Sequence, residues 1–177
     1  MPTKALRPIL TLFALVAIFT IPYFAALWLF HHNKSQLATT NKGTLVSPPL
    51  NFMNFYPQTR KWTLILFQPN ACGSNCEKRL HNLQQVHKLT GKDQQRINLR
   101  LLSFISLKQL DTKQLLISRK NYRRLIASNK NINFATNRGT IFIVDPHGNL
   151  MMAYQPNTKP MNIFKDLKQL LKVSQIG

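Results

Sequence analysis

Two cysteines, Cys72 and Cys76, are the residues of this chain best suited to chemistry, and they are its only cysteines. They follow an uninterrupted apolar run at residues 62–67, which is typical of a buried strand. Pro69 ends that run, and apolar residues then recur at every third position over residues 80–89, which indicates one face of a helix. At the start of a helix the unpaired N–H groups and the positive end of the dipole favour a thiolate over a thiol. A spacing of four puts both sulfurs on one side of the turn, where they could close a disulfide or bind one soft metal ion.

The remaining apolar pattern predicts the elements that hold this turn in position. Further strands are predicted at residues 97–105, 140–144 and 149–154, a helix that Asp111 could cap is predicted through residues 115–126, and a terminal helix is predicted from Ile163. Residues 145–148, DPHG, suit a type I turn between the last two strands. The order strand, helix, strand, helix, strand, strand, helix is the thioredoxin arrangement.

Three segments carry a resemblance to a known family. The first, WTLILFQPNACGSNCEKRL at residues 62–80, has the CxxxC pair after the first buried strand. The second is TIFIVDPHGNLMMAY at 140–154, and the third is the amphipathic tail FKDLKQLLKVSQIG at 164–177. Together they resemble the Sco/SenC branch of the thioredoxin superfamily, and in particular its small membrane-anchored members encoded among bacterial cytochrome c oxidase genes.

This resemblance implies a thioredoxin-like α/β fold with one N-terminal transmembrane helix. It also implies an assembly factor for cytochrome c oxidase that acts on the thiols or the Cu(I) of the copper centre. Cys72 and Cys76 would then be both the catalytic thiols of a thiol-disulfide oxidoreductase and the metal ligands, and the partner would be the copper-bearing oxidase subunit.

The sequence departs from the family at two positions near these cysteines. Glu77 stands where the family has a proline, and Asn137 stands where copper-binding members have a histidine. The resemblance therefore carries over to Cys72 and Cys76 alone, and it leaves a second reading open, a non-catalytic thioredoxin-like scaffold that binds an oxidase subunit. The family alignment also brings Arg138 near the sulfurs, where its charge would favour a thiolate.

An N-terminal apolar stretch predicts how the chain is attached. Residues 8–30 are uncharged and long enough to cross the roughly 30 Å hydrocarbon layer of a membrane. We therefore divide the chain into a cytoplasmic tail (1–7), a transmembrane anchor (8–30), a tether (31–55) and a thioredoxin-like domain (56–177). Since the leading tail is short and paired thiols suit an oxidising compartment, we expect a single-pass protein of the bacterial inner membrane with a periplasmic domain.

The net charge of +19 comes from 24 Lys and Arg residues against five Asp and Glu residues. The basic residues are dispersed through the soluble part, and no helix-turn-helix, zinc-finger or RNA-recognition pattern accompanies them. The charge therefore favours an acidic partner or anionic lipid headgroups, and not nucleic acid.

Overall fold

The computed structural model describes residues 6–32, 40–52, 60–107, 112–127 and 130–174. The chain divides into two compact units, with the division between Thr40 and Asn41. In the described residues the first unit contains one helix, and the second contains the sheet and the two cysteines.

The helix of the first unit, α1, runs from Leu6 to His32. Its segment Thr11–Leu29 is 19 residues long, apolar enough to cross a membrane, and has none of its residues buried inside the protein. A helix that is apolar on all sides is expected to meet lipid or protein on all sides. The helix therefore fits a single-pass membrane anchor.

The second unit is built on a mixed sheet with helices on both faces. In its described residues the sheet has six strands in the order β1-β6-β5-β2-β3-β4. These strands are β1 Thr44–Asn51, β2 Trp62–Phe67, β3 Ile97–Ser103, β4 Gln114–Leu116, β5 Ile141–Val144 and β6 Asn149–Tyr154. The helices are α2 Ser74–Leu89, α3 Arg119–Ala127 and α4 Pro160–Val173, with 3-10 turns at Gly91–Arg96 and Lys130–Thr136. Strand β2 lies beside β3 in parallel and beside β5 in antiparallel orientation.

Strand β2 is buried along its whole length because both faces of the sheet are covered. Leu64 and Leu66 pack with residues of α2 and α4 on one face. Ile65 and Phe67 pack with residues of α3 and the second 3-10 turn on the other. This arrangement confirms the predicted α/β fold and the predicted strand-to-helix turn after β2.

Strand β1 corrects the predicted domain boundary, since residues 44–51 were assigned to the tether. The strand pairs with β6, with Thr44 opposite Ala153 and Leu50 opposite Leu150, and it buries Val46. The pair Pro48-Pro49 suggested a tether, but prolines are tolerated on an edge strand, where no ladder hydrogen bond is lost on the open side. The folded domain therefore begins before residue 56.

The segment before α3 corrects a second prediction. A helix was expected through residues 115–126, but residues 114–116 form β4, which lies parallel to β3. The helix begins only at Arg119, and the Ser118 hydroxyl oxygen accepts a hydrogen bond from the Asn121 amide at 3.2 Å. Ser118 thus caps the helix, and Asp111, which was expected to do so, lies outside the described residues.

Candidate functional site

The two cysteines lie where the sequence predicts, in the loop after β2 and in the first turn of α2. They form a disulfide, and their Cα atoms are 5.2 Å apart. The Cys76 amide donates to the Gly73 carbonyl at 2.8 Å, which places Cys76 inside the first helical turn. Cys76 is only 3% exposed, whereas Cys72 is half-buried. Cys72 is therefore the sulfur more open to an approaching partner.

Hydrogen bonds at the end of β2 fix the loop that carries Cys72. The Phe67 amide donates to the Thr140 carbonyl and the Gln68 amide donates to the Leu102 carbonyl, both at 2.8 Å. The buried Gln68 side chain then donates from Nε2 to the Ala71 carbonyl, also at 2.8 Å. The sequence alone does not reveal this role, because Gln68 stands in the irregular break after the strand. Its side chain anchors the loop one residue before Cys72.

A pocket of about 440 Å³ opens beside Cys76. Its lining residues are Gln68, Ala71, Gly73, Ser74, Asn75, Cys76, Arg79 and Arg138. Arg138, predicted to lie near the sulfurs, is thus in the same pocket as Cys76. Arg79 was not anticipated, although its spacing of three from Cys76 puts it on the same helix face. The pocket combines one sulfur of the disulfide with two guanidinium groups.

The turn that carries Arg138 is bound directly to β2. Gly139 donates its amide to the Phe67 carbonyl at 2.8 Å, and its φ of +84° suits glycine. A Cβ atom added to Gly139 would lie 2.7 Å from Cζ of Arg79, so the guanidinium would have to move to make room for a side chain at this position. Asn137, in the place of the family's histidine, is exposed and does not line the pocket beside Cys76.

Besides Cys76, the described residues that line the pocket include no His, Cys, Asp or Glu side chain that could bind a metal ion. Among the described residues, no cluster of three or more His, Cys, Asp or Glu side chains could hold a metal ion. His87 is engaged elsewhere, with Nε2 at 3.0 Å from the Gln94 and Ile97 carbonyls. Two thiolates without an imidazole suit Cu(I), which is soft, better than Cu(II). Reduction of the disulfide would have to precede such binding, because the thiolate is the ligand.

A second polar group, away from the cysteines, holds the start of the domain. The carboxylate of Asp166, which is 3% exposed, accepts hydrogen bonds from the Lys42 amide (2.8 Å), the Gly43 amide (2.9 Å) and the Tyr154 hydroxyl (3.0 Å). Burial, together with the neighbouring Asp166 carboxylate, raises the pKa of Tyr154 far above its usual range. These contacts join α4 and β6 to the residues that lead into β1.

Comparisons with known proteins agree with this architecture. Residues 62–174 match a family described as a transmembrane-like, thioredoxin-like, C-terminal domain. The fold is similar to that of apo Sco1 from Thermus thermophilus, with 20% identity, a TM-score of 0.50 and coverage of 76% of this chain and 99% of that one. It is also similar to copper-bound ScoI from Arabidopsis thaliana (12% identity, TM-score 0.51, 75% and 99% covered) and to copper-bound yeast Sco1 (12%, 0.50, 77% and 96%). No curated protein matches the sequence significantly. The resemblance to Sco/SenC proteins is thus confirmed for the fold.

Proposed function

Because the chain belongs to the family of transmembrane-like, thioredoxin-like C-terminal domains, we propose that it is a membrane-anchored, Sco-like assembly factor for cytochrome c oxidase. In this proposal Cys72 and Cys76 act on the thiols or the Cu(I) of the oxidase copper centre. The observation that carries it is the Cys72–Cys76 disulfide at the start of α2, beside a pocket with two guanidinium groups. The sequence resemblance supports the oxidase as the partner. The copper-bound Sco structures of similar fold also support copper as the cargo.

The redox half of the proposal is a thiol-disulfide exchange. In the reduced protein, one cysteine thiolate attacks a partner disulfide, forms a mixed disulfide and releases one partner thiolate. The second cysteine then attacks the sulfur of the first and releases the second partner thiolate. The partner disulfide gains the two electrons that the two cysteines lose, and the protons of the cysteines pass through solvent to the partner thiolates. A dithiol donor must afterwards reduce the Cys72–Cys76 disulfide again.

The copper half of the proposal uses the same two sulfurs. The thiolates of Cys72 and Cys76 would hold Cu(I) as cargo and pass it to the thiols of the copper-bearing subunit. With Asn137 in the family's histidine position, Cu(II) would be held poorly. The proposal therefore predicts a carrier of Cu(I), not a protein with a resident copper site.

The apolar helix α1 supports a location in a membrane. We propose that the protein lies in the bacterial inner membrane with its domain in the periplasm, since the copper-centre thiols and an oxidising compartment both suit a paired thiol site. An alkaline phosphatase fused after Gly177 should be active in a bacterial host. Activity only of a cytoplasmic reporter at the same position would contradict this orientation.

Purified full-length protein tests the proposed chemistry directly. In detergent, mild reduction should release two thiols, and the reduced protein should bind one equivalent of Cu(I) in competition with a soluble chelator. A double variant, Cys72→Ser with Cys76→Ser, should bind none. If the reduced wild-type protein exchanges with no disulfide and binds no Cu(I), the scaffold reading, which Glu77 and Asn137 favour, is the better account.

A further inference from the structure

Acidic residues are scarce around the cysteines: Glu77, the residue after Cys76, is exposed and does not line the pocket beside Cys76. In the described part of the chain, the one ion pair joins Arg96 to Asp93 at 3.0 Å. Asp166 is bonded to two amides and a hydroxyl, and Asp145 accepts amide hydrogen bonds within its own turn. Among the described residues that line the pocket beside Cys76 there is no carboxylate. Arg79 and Arg138 therefore line this pocket without an acidic partner among the described residues.

A second groove lies next to the same loop and is also lined by two arginines. It has a volume of about 290 Å³. It is lined by residues before the cysteines, by residues of α3, by the residue after β3 and by the end of the second 3-10 turn, namely Phe67, Pro69, Asn70, Arg119, Tyr122, Arg123, Phe104 and Thr136. The rings of Phe67 and Tyr122 stack at 4.3 Å, and the Arg119 guanidinium lies 5.5 Å from the centre of the Phe104 ring. The aromatic rings provide an apolar floor, and two further arginines provide charge at its rim.

The two grooves flank the segment that leads to Cys72. Pro69 and Asn70 line the groove of Arg119 and Arg123, whereas Ala71 lines the pocket of Arg79 and Arg138. An extended peptide advances about 3.3–3.6 Å per residue. When a partner cysteine reacts at Cys72, the partner residues a few positions before and after that cysteine would therefore reach these arginines. Guanidinium groups bind carboxylates in a bidentate fashion, and they also stack on aromatic rings.

We propose that the thiol partner of this protein is an acidic protein segment, whose carboxylates bind Arg79 and Arg138 while its cysteine reacts at the Cys72–Cys76 pair. The groove of Arg119 and Arg123 receives the continuation of the same segment. This inference rests on the proposed thiol chemistry, and it adds the kind of partner that the site selects. A peptide is favoured over a lipid surface because the arginines line concave grooves on both sides of the loop, one of them with an aromatic floor.

The test measures exchange rates of the full-length protein in nanodiscs of zwitterionic lipid. Three cysteine peptides of equal length, flanked by Asp, Asn or Lys, reduce the Cys72–Cys76 disulfide, and each rate is divided by the thiolate fraction of its peptide. In this reaction two peptide thiols become one peptide disulfide as the protein disulfide becomes a dithiol. The acidic peptide should react faster than the neutral one by roughly fivefold or more at low salt, and the difference should shrink at high salt.

Variants distinguish the pocket from the overall charge. Arg79→Gln and Arg138→Gln should each lower the preference for the acidic peptide several-fold. Lys78→Gln is the matched control, because it removes one charge from the same helix at an exposed residue outside the pocket, and it should keep the preference.

The outcomes separate this inference from the proposed chemistry. If the neutral peptide reacts and the acidic peptide has no advantage, the thiol chemistry stands and the acidic-partner inference is overturned. If no peptide reacts, the thiol chemistry itself fails. If replacing part of the zwitterionic lipid by anionic lipid abolishes the acidic preference, the arginines serve the membrane surface, and the inference is again overturned.

Discussion

Reduction of the Cys72–Cys76 disulfide should leave the domain folded and lower its free energy of unfolding only slightly. The bond joins residues with a sequence separation of four. For a ring of about five residues, the loss of chain entropy on closure corresponds to about 2 kcal/mol near room temperature. Reduction should therefore cost about 2 kcal/mol or less, since a thiolate at the start of α2 also gains from the helix dipole. Only one of the two buried clusters includes Cys76, and the other includes neither cysteine, so most of the core packs without the bond.

Tryptophan fluorescence can report this change in the full-length protein in detergent. Trp62 is buried at the start of β2, and Trp28 lies on α1, so a Trp28→Phe background leaves one reporter in the domain. Urea unfolding of the oxidised and reduced forms should give the same slope and a modest shift of midpoint. The Cys72→Ser, Cys76→Ser double variant should behave as the reduced form. A loss above about 4 kcal/mol, or the disappearance of a cooperative transition, would show that the disulfide is a structural one that the fold requires.

Three further predictions concern other named groups. Asp166→Ala should lower the free energy of unfolding, measured in urea, by about 2–4 kcal/mol, because two amides and the Tyr154 hydroxyl lose their acceptor. Asp93→Ala, at the partly exposed ion pair, should lower it by less than about 1 kcal/mol. Equal losses would contradict the role of the buried carboxylate. The raised pKa of Tyr154 favours its protonated form in the folded state, so this residue's contribution to stability is complete below the unfolded pKa of about 10 and falls as the pH rises above it. Tyr154→Phe should flatten that alkaline decline, and an unchanged slope would refute it. Asn137→His should increase retention of Cu(II) by the reduced protein, measured by dialysis, if the turn at residues 137–139 has the family's geometry; no gain would argue against that geometry.

Local patterns were sufficient to predict the elements around the cysteines. The apolar run of β2, the break at Pro69 and the helical spacing after Cys76 are each contained within a few residues, so the strand-to-helix turn was predicted correctly. The turn at residues 145–148 was also predicted, and the Gly148 amide donates to the Asp145 carbonyl at 3.0 Å.

The elements that depend on distant partners were not predictable in this way. Strand β1 exists because residues 44–51 pair with β6, about a hundred residues later in the chain, and its own proline pair suggested a tether. Strand β4 has only three residues, and it is a strand only because it pairs with β3. Asp166 binds amides that precede it by 124 and 123 residues.

The residues of the candidate site differ in the same way: some are predictable from the local sequence and others are not. Cys72, Cys76 and Arg138 were found from residue type and family motifs, and the structure brings Cys76 and Arg138 to one pocket. Arg79 is predictable from its spacing of three after Cys76, because residues three apart lie on one face of a helix. Gln68 is not, because its role depends on a hydrogen bond to the Ala71 carbonyl within an irregular loop.

Copper loading of the oxidase in cells tests whether Cys72 and Cys76 act on it. The protein and its Cys72→Ser, Cys76→Ser double variant are expressed at equal levels in the membrane of a bacterial strain that lacks the gene for this protein. The copper content of the isolated oxidase is then measured. The account predicts that wild-type protein restores the copper content and that the double variant does not. Full restoration by the double variant would contradict a chemical role for the cysteines and would leave the domain as a scaffold.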